Sequence, residues 1–157
     1  MNSIMLLKKS SRHSKITGDF AERLVLYWLS KYGFECAYVD HTGIDIIARN
    51  PHTKELMGIS VKSRSRNIGK ETEYVSLQKK DFEKAKVACK TFGCVSYFAI
   101  VIDAGQGMNM FILPAKRLLK YRKTGWYMLK KYRERYLKDP EIKIVNFKHQ
   151  ILSWWES

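Results

Sequence analysis

The sequence predicts a single α/β domain in which a mixed β-sheet is flanked by α-helices. Two stretches, residues 15–32 and 76–92, repeat apolar residues at helical spacing. Between and after them lie short segments rich in Val, Ile and Tyr, the composition of β-strands. Because helices and strands alternate, we expect a sandwich of helices around one sheet. The chain has 157 residues, 45% of them hydrophobic, which suits one core and not two.

The first predicted helix spans residues 15–32 and ends at Gly33, a residue that readily adopts the left-handed conformation found at helix C-termini. Ser14 or Thr17 can cap its start, because either hydroxyl can accept a hydrogen bond from the first turn. Residues 1–14 are mainly polar and basic, and we expect them to form a loosely ordered N-terminal arm.

Three strands are predicted to follow, at residues 35–40, 44–49 and 56–63. The sequence Asn-Pro-His-Thr at residues 50–53 is a turn signal, so the last two strands should form an antiparallel hairpin. If the turn centres on the His-Thr pair, partners across the hairpin have numbers that add up to about 105.

A second helix is expected from Ser76, as its N-cap, to Phe92. The run 95–102 is almost entirely apolar, which is typical of a central strand covered on both faces. Another strand is predicted at residues 108–113, and Pro114 suits the first position of a third helix.

The core domain is therefore expected at residues 15–124, with a C-terminal extension at 125–157 packed on it and a predicted strand at 142–147. Residues 115–138 hold ten Lys and Arg residues and one acid, Glu134, with Tyr and Trp side chains between them. This composition favours contact with nucleic acid. A solvated helix face, or a surface for an acidic protein, would have a similar composition.

The whole chain has 29 Lys and Arg residues against 15 Asp and Glu residues, a formal charge of +14. Such an excess attracts polyanions, so the expected partner is DNA, in preference to RNA or an anionic membrane surface. The three cysteines, with no Cys-x-x-Cys pair, favour a reduced protein in the cytoplasm. No stretch approaches the roughly 20 apolar residues of a membrane span.

An acid and an amine meet at the open end of the predicted hairpin. The register places Asp45 across from Ser60, within one residue, and side-chain alternation puts Lys62 on the same face as Ser60. Apolar residues flank both charges, and buried charges need a partner, a metal ion or a shifted pKa. A plain salt bridge between Asp45 and Lys62 would satisfy the same two charges without a metal.

These residues resemble the motif of the PD-(D/E)xK nuclease superfamily. Gly-Ile-Asp at 43–45 lies on one strand, Ser-Val-Lys at 60–62 lies on the next, and the preceding helix carries Ala-Glu at 21–22. The chain is most similar to Holliday junction resolvase-like and small restriction-endonuclease-like proteins, over roughly residues 15–115. The resemblance implies a restriction-endonuclease-like sandwich, with a mixed central β-sheet flanked by α-helices. It also implies a Mg²⁺-dependent endonuclease that acts on DNA, including branched or structured DNA.

The resemblance also assigns roles to residues. It implies that Asp45 and Glu22 bind one or two Mg²⁺ or Mn²⁺ ions, together with the backbone carbonyl of Val61. Lys62 would orient or activate the attacking water. Relatives in this class act as dimers, so a homodimer is compatible with the resemblance.

Ser60 departs from the family, which places Glu, Asp or sometimes Gln two residues before the lysine. A serine hydroxyl is a weak, neutral ligand for a hard cation, so Ser60 is a doubtful member of the catalytic and metal-binding set. Glu71 or Glu73 is the candidate replacement acid. Without a replacement, the chain would be a catalytically impaired nuclease fold that acts as a nucleic-acid-binding module.

Basic residues near the motif are candidates for phosphate contacts. The first of them lie on a Ser-, Asn- and Gly-rich segment after Lys62 that is predicted to be a loop, and the others belong to the basic C-terminal run. The candidates are Arg64, Arg66, Lys70, Lys130, Lys131 and Arg133.

Overall fold

The computed structural model describes residues 8–67, 69–70, 75–105, 107–120 and 130–155, with the backbone alone described at 130–133. In the chain order of these residues, the elements are α1 His13–Lys31, β1 Glu35–His41, β2 Ile44–Arg49, β3 Leu56–Arg66, α2 Lys79–Phe92, β4 Val95–Ala104, β5 Gly107–Pro114, α3 Ala115–Leu118, α4 Lys130–Leu137 and β6 Lys143–Lys148.

The strands form one six-stranded sheet in the order β1-β2-β3-β4-β5-β6. β3 and β4 are parallel, and the other neighbouring pairs are antiparallel, so the predicted mixed sheet is confirmed. β2 and β3 form the predicted hairpin, which pairs Ile46 with Ile59 and Ile47 with Gly58 in the predicted register. Because β3 and β4 run in the same direction, the chain must cross over between them, and α2 lies in that crossover.

The two long helices cover opposite faces of the sheet. Along β4, Ala99 and Val101 pack in the cluster that contains α1. The alternate residues Phe98, Ile100 and Ile102 pack in the cluster that contains α2. β4 is therefore the central strand covered on both faces that its apolar sequence predicted.

β3 is longer than predicted, and the expected loop at residues 64–66 was wrong. The strand continues to Arg66, which pairs with Ala104 at the end of β4. The neighbouring strand offers a hydrogen-bonding ladder along this whole length, and such pairing overrides the weak strand propensity of Ser and Arg. The two arginines therefore lie on the same strand as Lys62.

The helix starts also differ from prediction. α1 begins at His13 with Arg12 as its N-cap, so neither Ser14 nor Thr17 caps it. α2 is capped by Gln78 in place of Ser76, with Asp81 as the reciprocal partner in a capping box. Both differences bring polar side chains of the first helical turn to the end of β3.

The remaining elements extend the sheet and the core. β6 pairs with β5, close to the strand predicted at 142–147. Pro114 ends β5 and directly precedes the single turn of α3. Within the described ranges, none of the helices is long and apolar enough to cross a membrane. All three cysteines are free.

Candidate active site

The carboxyl end of β3 meets the starts of both long helices at one end of the sheet. The Nε2 atom of His13, the first residue of α1, lies 3.0 Å from the Oγ atom of Ser65. Asp81, in the first turn of α2, accepts a hydrogen bond from Lys62. Since the first turn of a helix carries partial positive charge, this end of the sheet favours an anion.

Asp45 lies near the start of β2, at this same end. Its Oδ2 atom accepts a hydrogen bond from the backbone N–H of Val61 at 2.7 Å, one residue beyond Ser60. Burial raises the pKa of Asp45 from 3.8 to about 6; the Val61 N–H and Lys62 oppose that rise, and the carboxylate of Glu22 adds to it. A half-buried carboxyl group with another acid nearby is a suitable place for a cation.

Gly43 fixes the turn that leads into Asp45. Its φ angle is +101°, and a Cβ atom added there would lie 2.3 Å from the carbonyl oxygen of Lys84 in α2. Both the left-handed backbone and the approach of α2 therefore require glycine. The glycine of the sequence motif has a structural reason, which is to bring the start of β2 against α2.

Glu22 is held by a residue that the sequence analysis missed. The hydroxyl of Tyr38 in β1 donates a hydrogen bond to Glu22 Oε2 at 2.6 Å. This bond, together with burial and the charge of Glu22, raises the pKa of Tyr38 to about 12. The Arg23 guanidinium covers the tyrosine ring at 4.3 Å from its centroid. No local sequence signal identifies Tyr38, because its pairing with Glu22 depends on how α1 packs on β1.

Lys62 is paired with Asp81, so the predicted alternative of an Asp45–Lys62 salt bridge was wrong. Lys62 Nζ lies 3.2 Å from Asp81 Oδ1, and the two side chains are 28% and 21% exposed. Burial raises the pKa of Asp81, but the N–H of Gln78 and the ammonium of Lys62 outweigh it and hold that pKa below its ordinary value. The Gln-x-x-Asp spacing of the capping box was the available signal for Asp81.

Ser60 is buried between these groups, with only 4% of its surface exposed. Two residues before it, Gly58 lies so close to α2 that an added Cβ atom would be 2.6 Å from Cys89 Sγ. Two residues after it, Lys62 reaches Asp81 in the same helix. Since side chains alternate along a strand, Ser60 faces α2 as well, and the acid beside Lys62 comes from that helix.

The acids of this corner do not form a ready-made metal cage. Among the residues that the structure describes, no group of three or more His, Cys, Asp or Glu side chains is arranged to hold a metal ion. Mg²⁺ is commonly bound by one or two carboxylates together with water and substrate phosphate. Asp45 and Glu22 fit a site of that open kind. Glu71 and Glu73 lie outside the described residues.

The candidate phosphate-binding residues are divided by the structure. Arg64 and Arg66 are half-buried on β3, and Arg64 Nη1 donates to the carbonyl of Ser63 at 2.7 Å. Lys70 is exposed in the loop after β3. The other candidates lie on α4, where their side chains are outside the described part of the chain: Lys130, Lys131 and Arg133.

The fold resembles that of solved protein structures. No family model matches the chain, and no curated protein matches it. The chain is similar to a solved Holliday junction resolvase from the hyperthermophilic archaeon Archaeoglobus fulgidus. The identity is 23% and the TM-score is 0.48, over 63% of this chain and 73% of that one. One fold hosts many activities, so the function must be inferred from the residues of the site.

Proposed function

We propose that this protein is a metal-dependent DNA endonuclease that hydrolyses phosphodiester bonds. The observation that carries the proposal is the placement of Asp45. Its half-buried carboxyl group accepts the N–H of Val61 at 2.7 Å, next to Lys62 in the sequence, and it interacts electrostatically with Glu22 and Lys62. Two acids and an amine at an anion-attracting end of a sheet suit a phosphate that is bound together with a cation.

Asp45 and Glu22 are the residues proposed to hold Mg²⁺ or Mn²⁺, with the carbonyl of Val61 as a further ligand. One or two ions would neutralise charge on the phosphate and lower the pKa of an attacking water. Lys62 donates hydrogen bonds to the phosphate or orients that water. Asp81 holds the Lys62 ammonium in place, which makes Asp81 a positioning residue and not a metal ligand.

DNA is the proposed substrate because of the net charge of +14 and the arginines on β3. Arg64, Arg66 and Lys70 would contact phosphates that flank the reacting one, and the basic face of α4 would add further contacts. Branched DNA is the proposed form because of the motif resemblance, and a homodimer would present two such sites. Three free cysteines are compatible with work in the cytoplasm.

The test is nicking of supercoiled plasmid with Mg²⁺ or Mn²⁺ added to the purified protein. We expect nicking by the wild type, and loss of at least about 100-fold in Asp45→Asn and in Lys62→Ala, as for removal of a group that stabilises a transition state. Asp19→Asn is the control for charge, because Asp19 is exposed and pairs with Lys15 on α1. Nicking that survives in Asp45→Asn or Lys62→Ala would contradict the proposal.

Binding without cleavage is the second candidate function, and Ser60 is the observation that favours it. A neutral, buried side chain stands where the family carries an acid, which leaves the cation with fewer charged ligands. Under this alternative, DNA binding weakens steeply with salt but is unaffected by Mn²⁺ and by Asp45→Ala.

Calorimetric titration with Mn²⁺ separates the two candidates. The endonuclease requires Mn²⁺ binding that is lost in Asp45→Ala and weakened in Glu22→Ala. The same titration of Glu71→Ala and Glu73→Ala shows whether either acid replaces the one absent at Ser60. If all four variants give the same heat of Mn²⁺ binding as the wild type, the binding module is supported.

A further inference from the structure

A polar cleft lies where the N-terminal segment meets the end of β3; we call it the N-terminal cleft. It has a volume of about 460 Å³, and its walls include Lys9, Ser11, Ser14, Ser63 and Arg64. Hydroxyl groups and cations are the groups that proteins use to contact the nucleic-acid backbone. None of the described residues that line this cleft is a carboxylate.

An apolar groove adjoins the cleft along α1; we call it the α1 groove. It has a volume of about 300 Å³, and Ile16, Phe20, Val101 and Met108 line it. Phe20 is 46% exposed and Ile16 is 54% exposed, so both are accessible from solvent. An accessible aromatic ring in a groove of this size is a platform on which a nucleobase can stack.

The two cavities form one continuous surface. His13, Thr17 and Arg64 line both of them, so a ligand can extend from one cavity into the other. The acid of this region, Asp103, lines the α1 groove and is absent from the lining of the N-terminal cleft. Because a carboxylate repels phosphate, a bound strand would place its phosphate in the cleft and its base in the groove.

A hydrogen-bond network fastens the N-terminal segment to the sheet. Lys9 Nζ donates to both the carbonyl and the hydroxyl of Ser65 at 3.0 Å, and His13 Nε2 lies 3.0 Å from the same hydroxyl. The Ser65 hydroxyl donates in turn to Asp103 at 2.9 Å. The residues just before α1, expected to form a loose arm, thus provide a fixed wall of the N-terminal cleft.

We propose that the N-terminal cleft and the α1 groove together bind an unpaired DNA strand, with one phosphate in the cleft and one base against Phe20. In a duplex the base faces are stacked and inaccessible, so a site that receives a base selects unpaired nucleotides. The inference rests on the proposed function, because Arg64, which lines both cavities, lies two residues beyond Lys62 on β3 and so on the same face as Lys62. It narrows the substrate to DNA with an unpaired segment beside the reacting phosphate.

The base contact is tested by fluorescence anisotropy with a labelled single strand and with a blunt duplex of the same sequence, in a chelator. Phe20→Ala should weaken single-strand binding at least about 5-fold and leave duplex binding within about 2-fold. The matched control is Tyr27→Ala, which removes a 60% exposed aromatic ring from the same helix and should change neither affinity. Equal effects of the two variants, or an equal loss for the single strand and the duplex, would overturn the inference.

The phosphate contact is tested with Lys9→Gln and the control Lys15→Gln. Each removes one positive charge, but Lys15 is 66% exposed, pairs with Asp19 and does not line the cleft. Lys9→Gln should reduce the slope of log affinity against log salt by about 1, whereas Lys15→Gln should change it much less. An equal change in both slopes would place the phosphate outside the N-terminal cleft.

Failure of this inference and failure of the proposed function give different results. Binding in chelator needs no cleavage, so a protein that shows the Phe20 effect but never nicks DNA refutes only the nuclease. The opposite result is nicking of plasmid that depends on Asp45, together with a Phe20→Ala substitution that changes the affinities for the single strand and the duplex by the same factor. That result refutes only the unpaired-strand site.

Discussion

The ammonium of Lys62 lies 3.2 Å from Oδ1 of Asp81, so the lysine of the motif is paired with an acid from the next helix. The same carboxyl group receives the N–H of Gln78 at 3.0 Å through its other oxygen. One aspartate thus caps α2 and positions Lys62, which couples the start of the helix to the candidate active site.

Asp81→Asn tests this coupling, because asparagine can still accept the Gln78 hydrogen bond but removes the charge. We expect the nicking rate to fall by about 10-fold, the size of effect expected from a lost charged hydrogen bond. DNA affinity, measured by anisotropy, should change by less than about 3-fold, because Lys62 and its charge remain. Asp19→Asn serves as the control, and equal losses in the two variants would contradict a positioning role.

The pKa of Asp45, raised to about 6, predicts a pH-dependent stability of the metal-free protein. Below pH 3.8 the carboxyl group is protonated in both the folded and the unfolded state. As the pH rises towards about 6, only the unfolded state releases the proton readily, so the stability of the folded state falls. At pH 8 the free energy of unfolding of Asp45→Asn should therefore exceed that of the wild type by on the order of 2 kcal/mol.

Urea unfolding in a chelator, followed by circular dichroism at several pH values, measures this difference. The increase in unfolding free energy caused by Asp45→Asn should shrink towards zero as the pH is lowered to about 4. A difference in unfolding free energy that stays constant over this range, or a variant less stable than wild type at pH 8, would show that the pKa of Asp45 is not raised in the folded protein.

Gly43→Ala should destabilise the protein by roughly 2–4 kcal/mol, because the new Cβ would collide with the backbone of α2 at a left-handed φ angle. Gly18→Ala is the matched control, since Gly18 lies inside α1 with nothing within 4 Å of the added atom. That control should gain about 0.5–1 kcal/mol from helix propensity. The melting temperatures of both variants, measured by thermal unfolding, test this prediction. Similar melting temperatures would mean that α2 shifts to make room for a Cβ atom at residue 43.

Tyr38→Phe removes the hydroxyl that holds Glu22, so the carboxylate is no longer fixed beside Asp45. We expect nicking to require several-fold more Mn²⁺, with a loss of unfolding free energy of about 1 kcal/mol. Tyr97→Phe removes the same kind of bond, to Glu55, near the start of β4 and away from Lys62. A Mn²⁺ titration of nicking that shifts equally in both variants would argue against a role for Tyr38 at the site.

The sequence by itself determined the order of the elements and the register of the β2–β3 hairpin. Both depend on local patterns, which are the helical spacing of apolar residues and the turn signal at residues 50–53. That register was enough to bring Asp45 and Lys62 to the same end of the sheet. The apolar run at 95–102 likewise identified the central strand.

Only the tertiary structure decided which groups these residues contact. The partner of Lys62 depends on where α2 begins, and the partner of Glu22 depends on how α1 lies against β1. The length of β3 depends on its pairing with β4. Local periodicity fixes which face a side chain occupies, whereas contacts between residues distant in sequence are fixed by the packing of whole elements, and a short stretch of sequence carries little information about that packing.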